Sequence, residues 1–258
     1  MLTEVRGLVI RTVDIKENDR LITIFTEEMG AITALARGAR SLKSRKMSST
    51  MQFCYSNFVL FKQGDKFSIR ESELIESFFD IRNSIDGLAL ANYIAEILSA
   101  VTVAEAERDL LRLSLNSLYA IATGKYEIAK IKAVFEIRAA SILGFMPDVL
   151  ACHACGEREG DFFFDIMGGI IECRACREEA AKLHTEHPDP HESHIISILS
   201  EGAKVALGYA IYSPLERVFS FSISKEDMNL FARCAETYLL NQLGHSFKSL
   251  DFYKDIQR

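Results

Sequence analysis

FCYSNFVLF (Phe53–Phe61) and FSIRESELI (Phe67–Ile75) are the two runs that decide how the chain begins. Both are rich in aromatic and β-branched residues, and Gln63-Gly64-Asp65 supplies a turn between them. They read as two strands of a hairpin. Working outward, VRGLVIRTV (Val5–Val13), LITIFT (Leu21–Thr26) and AITALA (Ala31–Ala36, after Met29-Gly30) have the same character. Five such runs in the first 80 residues, separated by short polar breaks, predict a small antiparallel barrel or sandwich. The aromatic side chains Tyr55, Phe58 and Phe61 could stack on bases, but an apolar strand favours the core for them. The stretch GARSLKSRKMSST (Gly38–Thr50) has no period and reads as a loop between the third and fourth strands.

After residue 80 the apolar spacing becomes helical. Helices are predicted over Leu88–Val103, over Asp109–Thr123 with Gly124 as its stop, and over Glu127–Leu143, halted by Gly144 and Pro147. These three are expected to pack on one another. A further helix is predicted over His194–Tyr209. Ser224 and Asp227 have the spacing of a capping box that opens a last helix to Leu243, ended by Gly244. The acidic, His-rich stretch Glu178–Glu192, with Pro188 and Pro190, reads as an exposed linker.

The chain has 258 residues, 48% apolar and 26% charged, which places it among globular proteins of one to three domains. No apolar run approaches the roughly 18 residues of a spanning helix. The first residues carry Glu4 and no basic run before an apolar core, so no export signal is expected and the cytoplasm is the expected location. The net charge of −6 argues weakly against a nucleic-acid partner, but it hides an asymmetry. Between residues 35 and 70 stand Arg37, Arg40, Lys43, Arg45, Lys46, Lys62, Lys66 and Arg70, against Asp65 alone. Such a field calls for a counter-anion, most commonly a phosphate backbone; a solvated basic loop is the competing reading. Residues 151–192, by contrast, carry a net charge of −6.

Six cysteines without an export signal point to metal or redox chemistry rather than disulfides. Cys152-His-Ala-Cys155 and Cys173-Arg-Ala-Cys176 are separated by 17 residues, the spacing of a four-thiolate zinc site. Two residues between cysteines let both thiolates reach one ion, and four thiolates fill a tetrahedral structural site. The intervening Phe162, Phe163, Phe164 and Ile170 suit a hairpin turning at Gly168-Gly169. His153 reads as a bystander, and His184, His187, His191 and His194 as linker residues. Cys54 and Cys234 lie in apolar surroundings and read as core thiols. The sequence has no phosphate-binding glycine loop, no H-E-x-x-H and no G-x-S-x-G, so no enzyme is expected.

Three blocks resemble one family. They are Glu17-Asn18-Asp19-Arg20-Leu21 with Phe25-Thr26, Gly30 and Ala36-Arg37-Gly38-Ala39-Arg40-Ser41; the zinc knuckles closing on Gly168-Gly169-Ile170 and Cys173; and the tail Leu243–Ser249. Leu143-Gly144-Phe145-Met146-Pro147 also fits. The chain resembles, over its whole length, the RecO family of bacterial recombination mediators. The resemblance implies an α+β architecture: a five-stranded OB-fold barrel over residues 1–80, then a helical domain over 81–258, with a zinc-binding insertion at 150–178. It implies Cys152, Cys155, Cys173 and Cys176 as structural zinc ligands, and the basic residues around Arg37–Arg40 as the DNA-contacting region. It implies binding of single- and double-stranded DNA, strand annealing, contact with the C-terminal tail of the single-strand-binding protein, and loading of RecA together with RecR. It also implies a cytoplasmic, nucleoid-associated protein that needs no membrane. Arg108, Arg112, Lys130 and Lys132 could rim a groove for that tail, although ordinary surface positions suit them better. The rival readings are a zinc-stapled adaptor that binds only proteins, and a nuclease or deaminase with an unrecognised site.

Overall fold

The computed structural model describes residues 2–101, 107–186 and 195–257. The five strands form as read: β1 (Leu2–Ile15), β2 (Asp19–Thr26), β3 (Gly30–Ala36), β4 (Cys54–Gln63) and β5 (Lys66–Ser77). They close into a barrel in the order β1-β2-β3-β5-β4. This is the OB-fold arrangement.

The long β1 serves two neighbours. Its first half pairs with β4, from Leu2↔Phe61 to Leu8↔Tyr55, and its second half continues along β2 to Ile15↔Asp19. The strand must bend where the two ladders overlap, and Gly7 stands there. A Cβ at Gly7 would lie 2.3 Å from the Ile24 side chain and 2.9 Å from the Phe25 carbonyl oxygen, so only glycine fits. The expectation of an all-antiparallel barrel fails at one seam: β3 and β5 run parallel, through Ala34↔Phe67 and Leu35↔Ser68. Five strands cannot alternate in direction around a closed ring, so at least one neighbouring pair must be parallel. Alternate residues of every strand point inward, and Val5, Val9, Ile22, Ile24, Ala34, Phe58, Leu60 and Ile69 make the barrel core.

The chain divides into two compact units, one of residues 1–128 with 247–258 and the other of residues 129–246. The first unit therefore holds more than the strands before residue 80. Helices α1 (Ile85–Ala100) and α2 (Glu107–Thr123) pack on each other and on β1 and β2. The Ser84 hydroxyl caps α1 by accepting from the Gly87 N–H at 3.1 Å. A short helix that the sequence reading did not include, α7 (Lys248–Ile256), lies along α1. There the Glu96 carboxylate accepts from the Ser249 N–H at 2.9 Å and from its hydroxyl, and the Phe247 ring meets Tyr93 edge-on at 5.6 Å.

The second unit contains α3 (Ile128–Ile142), the strands β6 (Phe162–Asp165), β7 (Ile170–Cys173) and β8 (Ile196–Leu199), and the helices α4 (Arg174–Glu186), α5 (Glu201–Tyr212) and α6 (Lys225–Leu243). The third helix of the predicted trio thus groups with this unit. Two further expectations are corrected. The helix predicted from His194 begins only at Glu201, because residues 196–199 pair with β6 as an edge strand. The linker predicted over Glu178–Glu192 is helical to Glu186, where Glu178-Glu179-Ala180-Ala181-Lys182 are good helix formers. Residues 187–194, with His187, His191 and His194, lie outside the described residues, as does Val103.

At α6 the predicted cap is present. The Ser224 hydroxyl accepts from the Asp227 N–H at 3.1 Å, and Gly244 closes the helix in the left-handed conformation at φ +69°. The Asp227 carboxylate does more than the motif foretold. It accepts from the Ser200 hydroxyl at 2.5 Å and the Ser224 hydroxyl at 2.7 Å, so one acid joins the capping residues of α5 and α6. The two hydroxyls hold its pKa below the ordinary aspartate value. Lys132 is not a surface residue: it is buried between Glu136, at 2.7 Å, and Glu236, at 2.6 Å. Cys54 and Cys234 are buried as expected, and burial raises both thiol pKa values.

Candidate metal centre and nucleic-acid interface

The two cysteine pairs converge at the open end of a small hairpin. Cys152 and Cys155 form a tight knuckle in which the Cys152 N–H donates to the Glu157 carbonyl at 2.7 Å and the Gly156 N–H to the Cys152 carbonyl at 2.9 Å. Gly156 takes φ +79°, where a side chain would be strained. The His153 N–H donates to the Ile171 carbonyl at 2.8 Å and docks the knuckle on β7. Cys173 ends β7 and Cys176 lies in the first turn of α4, so the strand-to-helix transition aims the second pair. The hairpin turns at Gly168-Gly169, where the Asp165 carboxylate accepts from the N–H groups of Met167 and Gly168 at 3.0 and 3.1 Å.

All four sulfur atoms lie within 4.8 Å of one another, and Cys155 Sγ is 3.7 Å from Cys173 Sγ. A tetrahedral ion with Zn–S bonds of about 2.3 Å sets its sulfurs about 3.8 Å apart. The cluster is therefore of the size that a tetrahedral metal ion needs. Burial works to raise the Cys152 thiol, but the N–H groups of Cys173, Cys155 and Ala154 outweigh it and bring the pKa down to about 6. Hydrogen bonding to Cys155 and Cys173 drives Cys176 upward. Four thiols this close cannot all ionise unless a cation shares their charge. His153 is not among the clustered ligands.

The eight basic residues separate into two groups. Arg37, Arg40, Lys43, Arg45, Lys62, Lys66 and Arg70 are exposed, and Lys46 is half-buried. Arg40 and Lys46 are committed to the fold. Arg40 pairs with Asp14 at 3.2 Å and donates to the Lys16 and Glu17 carbonyls at 3.2 and 3.1 Å. Lys46 donates to the Ile69 carbonyl at 3.0 Å, and burial lowers its pKa. These two cations fasten the loop after β3 to the β1–β2 turn and to β5. Arg70 lies over the Phe61 ring at 4.6 Å and Lys62 over Phe67 at 5.5 Å. The side chains of Arg37, Lys43, Arg45 and Lys66 make no ion pair or hydrogen bond among the described residues. Phe58 is wholly buried in the barrel core, whereas Tyr55 and Phe61 are half-buried.

Arg37 and Lys66 also border a groove of about 940 Å³ on the barrel, floored by Leu21, Leu35 and Phe67 and closed by the Gln63-Gly64-Asp65 turn. The β2–β3 face and the β4–β5 turn form the usual ligand surface of an OB-fold. The sequence reading did not single out Leu21, Leu35 or Phe67. The signal was present in LITIFT, where Ile22 and Ile24 point inward and Leu21 must point outward.

A closed OB-type barrel with a basic loop, joined in one chain to a four-cysteine knuckle, is the class of architecture that the fold and site define. Comparison with known families narrows it. Residues 1–78 match the model for the recombination protein O N terminal domain, and residues 82–251 match that for the C terminal domain. The DNA repair protein RecO of Acetivibrio thermocellus is 35% identical over 254 residues, covering 98% of this chain and 96% of that protein. Those of Clostridium kluyveri and Clostridium acetobutylicum are 30% and 29% identical, each over at least 97% of this chain and 93% of theirs. The chain belongs to the RecO family of DNA repair proteins. Among the described residues, no helix is long and apolar enough to cross a membrane.

Proposed function

We propose that this protein is a DNA-binding recombination mediator without catalytic turnover. It binds single- and double-stranded DNA, anneals complementary strands, and works with RecR to place RecA on DNA coated by the single-strand-binding protein, whose C-terminal tail it contacts. Its place is the cytoplasm, at the nucleoid. The observation that carries the reading is the set of exposed cations around the barrel groove. Arg37, Lys43, Arg45 and Lys66 neutralise phosphates, with Lys62 and Arg70 extending the track, while Leu21, Leu35 and Phe67 offer apolar contact to bases. Phosphate contacts carry little sequence information, which suits a protein that must act on any gap. Annealing then needs no nucleotide hydrolysis: screening two strands brings them together, and base pairing supplies the free energy.

Cys152, Cys155, Cys173 and Cys176 hold one structural zinc, since thiolates select it over harder ions and four of them leave no open position. The acidity of residues 151–192 makes this module a poor phosphate binder and favours it as a protein contact. Strand annealing tests the reading. Wild type should accelerate pairing of two complementary oligonucleotides, including strands coated with single-strand-binding protein, and the variant with Arg37, Lys43 and Arg45 all changed to Ala should not. A wild type that anneals nothing and binds only proteins would establish the adaptor reading instead.

A further inference from the structure

Leu42 is the most exposed large apolar side chain among the described residues, at 91%. A lone exposed leucine needs no explanation by itself. Two features of its setting make this one informative. The first is charge: no acidic residue occurs between Glu28 and Asp65, and Leu42 is followed by Lys43 and Arg45, with Arg37 at the base of the loop. The second is that the loop is built. Its start is held by the Gly38 N–H on the Asp19 carboxylate at 2.9 Å and the Arg40 N–H on the Asn18 carbonyl at 3.1 Å. Consecutive turns follow, from the Ser41 N–H to the Gly38 carbonyl at 3.2 Å and from the Ser44 N–H to the Ser41 carbonyl at 2.8 Å. Lys46 then fixes the far end to Ile69. Leucine is thus held exposed on a fastened turn whose charged residues are all basic.

We propose that Leu42 is a base-contacting wedge. On single-stranded DNA whose phosphates are held by Arg37, Lys43 and Arg45, the isobutyl group packs between neighbouring bases and keeps them unstacked for pairing. The inference rests on the DNA-binding reading above. The chemistry is that of other proteins that set an apolar side chain beside cations: the charges draw in the backbone, and the apolar group takes up base surface that phosphate contacts leave unused. Arg37 belongs both to this loop and to the groove lined by Leu21, Leu35 and Phe67, so one strand could touch both apolar surfaces.

The chain contains no tryptophan, so Leu42→Trp installs a single fluorescent reporter at that position. The probes are an oligothymidylate and an abasic oligomer of equal length and charge, with binding followed independently by anisotropy of a labelled end. The expected result is quenching of Trp at position 42, roughly twofold or more, by the oligothymidylate but not by the bound abasic oligomer. Leu42→Ala should weaken oligothymidylate binding about fivefold with the salt slope unchanged, and leave abasic binding alone. If both variants bind both probes like wild type and the reporter stays bright, the wedge is refuted while DNA binding stands. If wild type binds neither probe, the wedge falls together with the DNA-binding reading. A blue shift on phosphatidylglycerol vesicles without quenching by DNA would overturn the proposal in favour of a lipid surface.

Discussion

The barrel and the cysteine module are both small β-structures, yet different forces hold them. Every barrel strand is hydrogen-bonded on both sides, and the interior is filled by apolar side chains drawn from all five strands. The module has three strands of four residues each, and the outer side of β7 is met by the single backbone contacts of Asp148 and His153. Phe162, Phe164 and Ile171 give it a core on one side, but its knuckle end has four sulfur atoms where apolar packing would otherwise be. The contrast teaches that the barrel's stability resides in buried area and ladder closure, while the knuckle end gathers four thiols that a cation would complete. Small substructures short of core are commonly completed this way.

The largest effect expected from that contrast is on metal removal. Chelation, or Cys152→Ser, should abolish hydrogen-exchange protection across residues 148–176 and leave the barrel amides unchanged. Loss of barrel protection in the same experiment would break the comparison. Next is Phe58→Ala in the barrel core, expected to cost about 3–5 kcal/mol in denaturant unfolding while bound metal per chain stays the same. A smaller cost, about 1–3 kcal/mol, is expected for Gly169→Ala in the module's hairpin turn. Its φ is +65°, and a Cβ there would stand 2.8 Å from the Tyr238 hydroxyl. Gly38→Ala in the barrel loop has a similar φ of +66° but open space around it, so it should cost less and sharpen the point.

The smallest effect concerns Asp227. Its pKa is held below the ordinary value of 3.8 by the hydroxyls of Ser200 and Ser224. Its contribution is therefore present above the unfolded-state pKa and fades as pH falls through the lower folded-state value. Thermal melts between pH 7 and 3 should show a shallower acid loss for Asp227→Asn than for wild type. Equal slopes would show that the shared cap carries no pH-linked stability.

What was legible in the sequence followed from local rules. Apolar, β-branched and aromatic runs between short polar breaks exposed all five barrel strands, Ser224 and Gly244 marked the ends of α6, and the C-x2-C spacing brought the four thiols together. What was not legible depended on distant partners. Residues 196–199 look helical until β6 is there to pair with them. Lys132 looks like a surface residue until Glu236 arrives from a helix about a hundred residues away in sequence. Arg40 and Lys46 looked equivalent to Arg37 and Lys43, because nothing local shows that the Lys16, Glu17 and Ile69 carbonyls capture them. The basic loop thus divides into cations that build it and cations without an ion pair or hydrogen bond among the described residues.

That division is tested most directly by the affinity for a labelled single-stranded oligonucleotide as a function of salt. The proteins compared are wild type and the variant with Arg37, Lys43 and Arg45 all changed to Ala. For every phosphate that is no longer neutralised, the slope of log affinity against log salt should fall by about 0.7 on single strands. The account predicts a steep wild-type slope and a variant flatter by about 2, with unfolding curves that coincide. A wild type whose affinity ignores salt, or a variant that keeps the full slope, would contradict it.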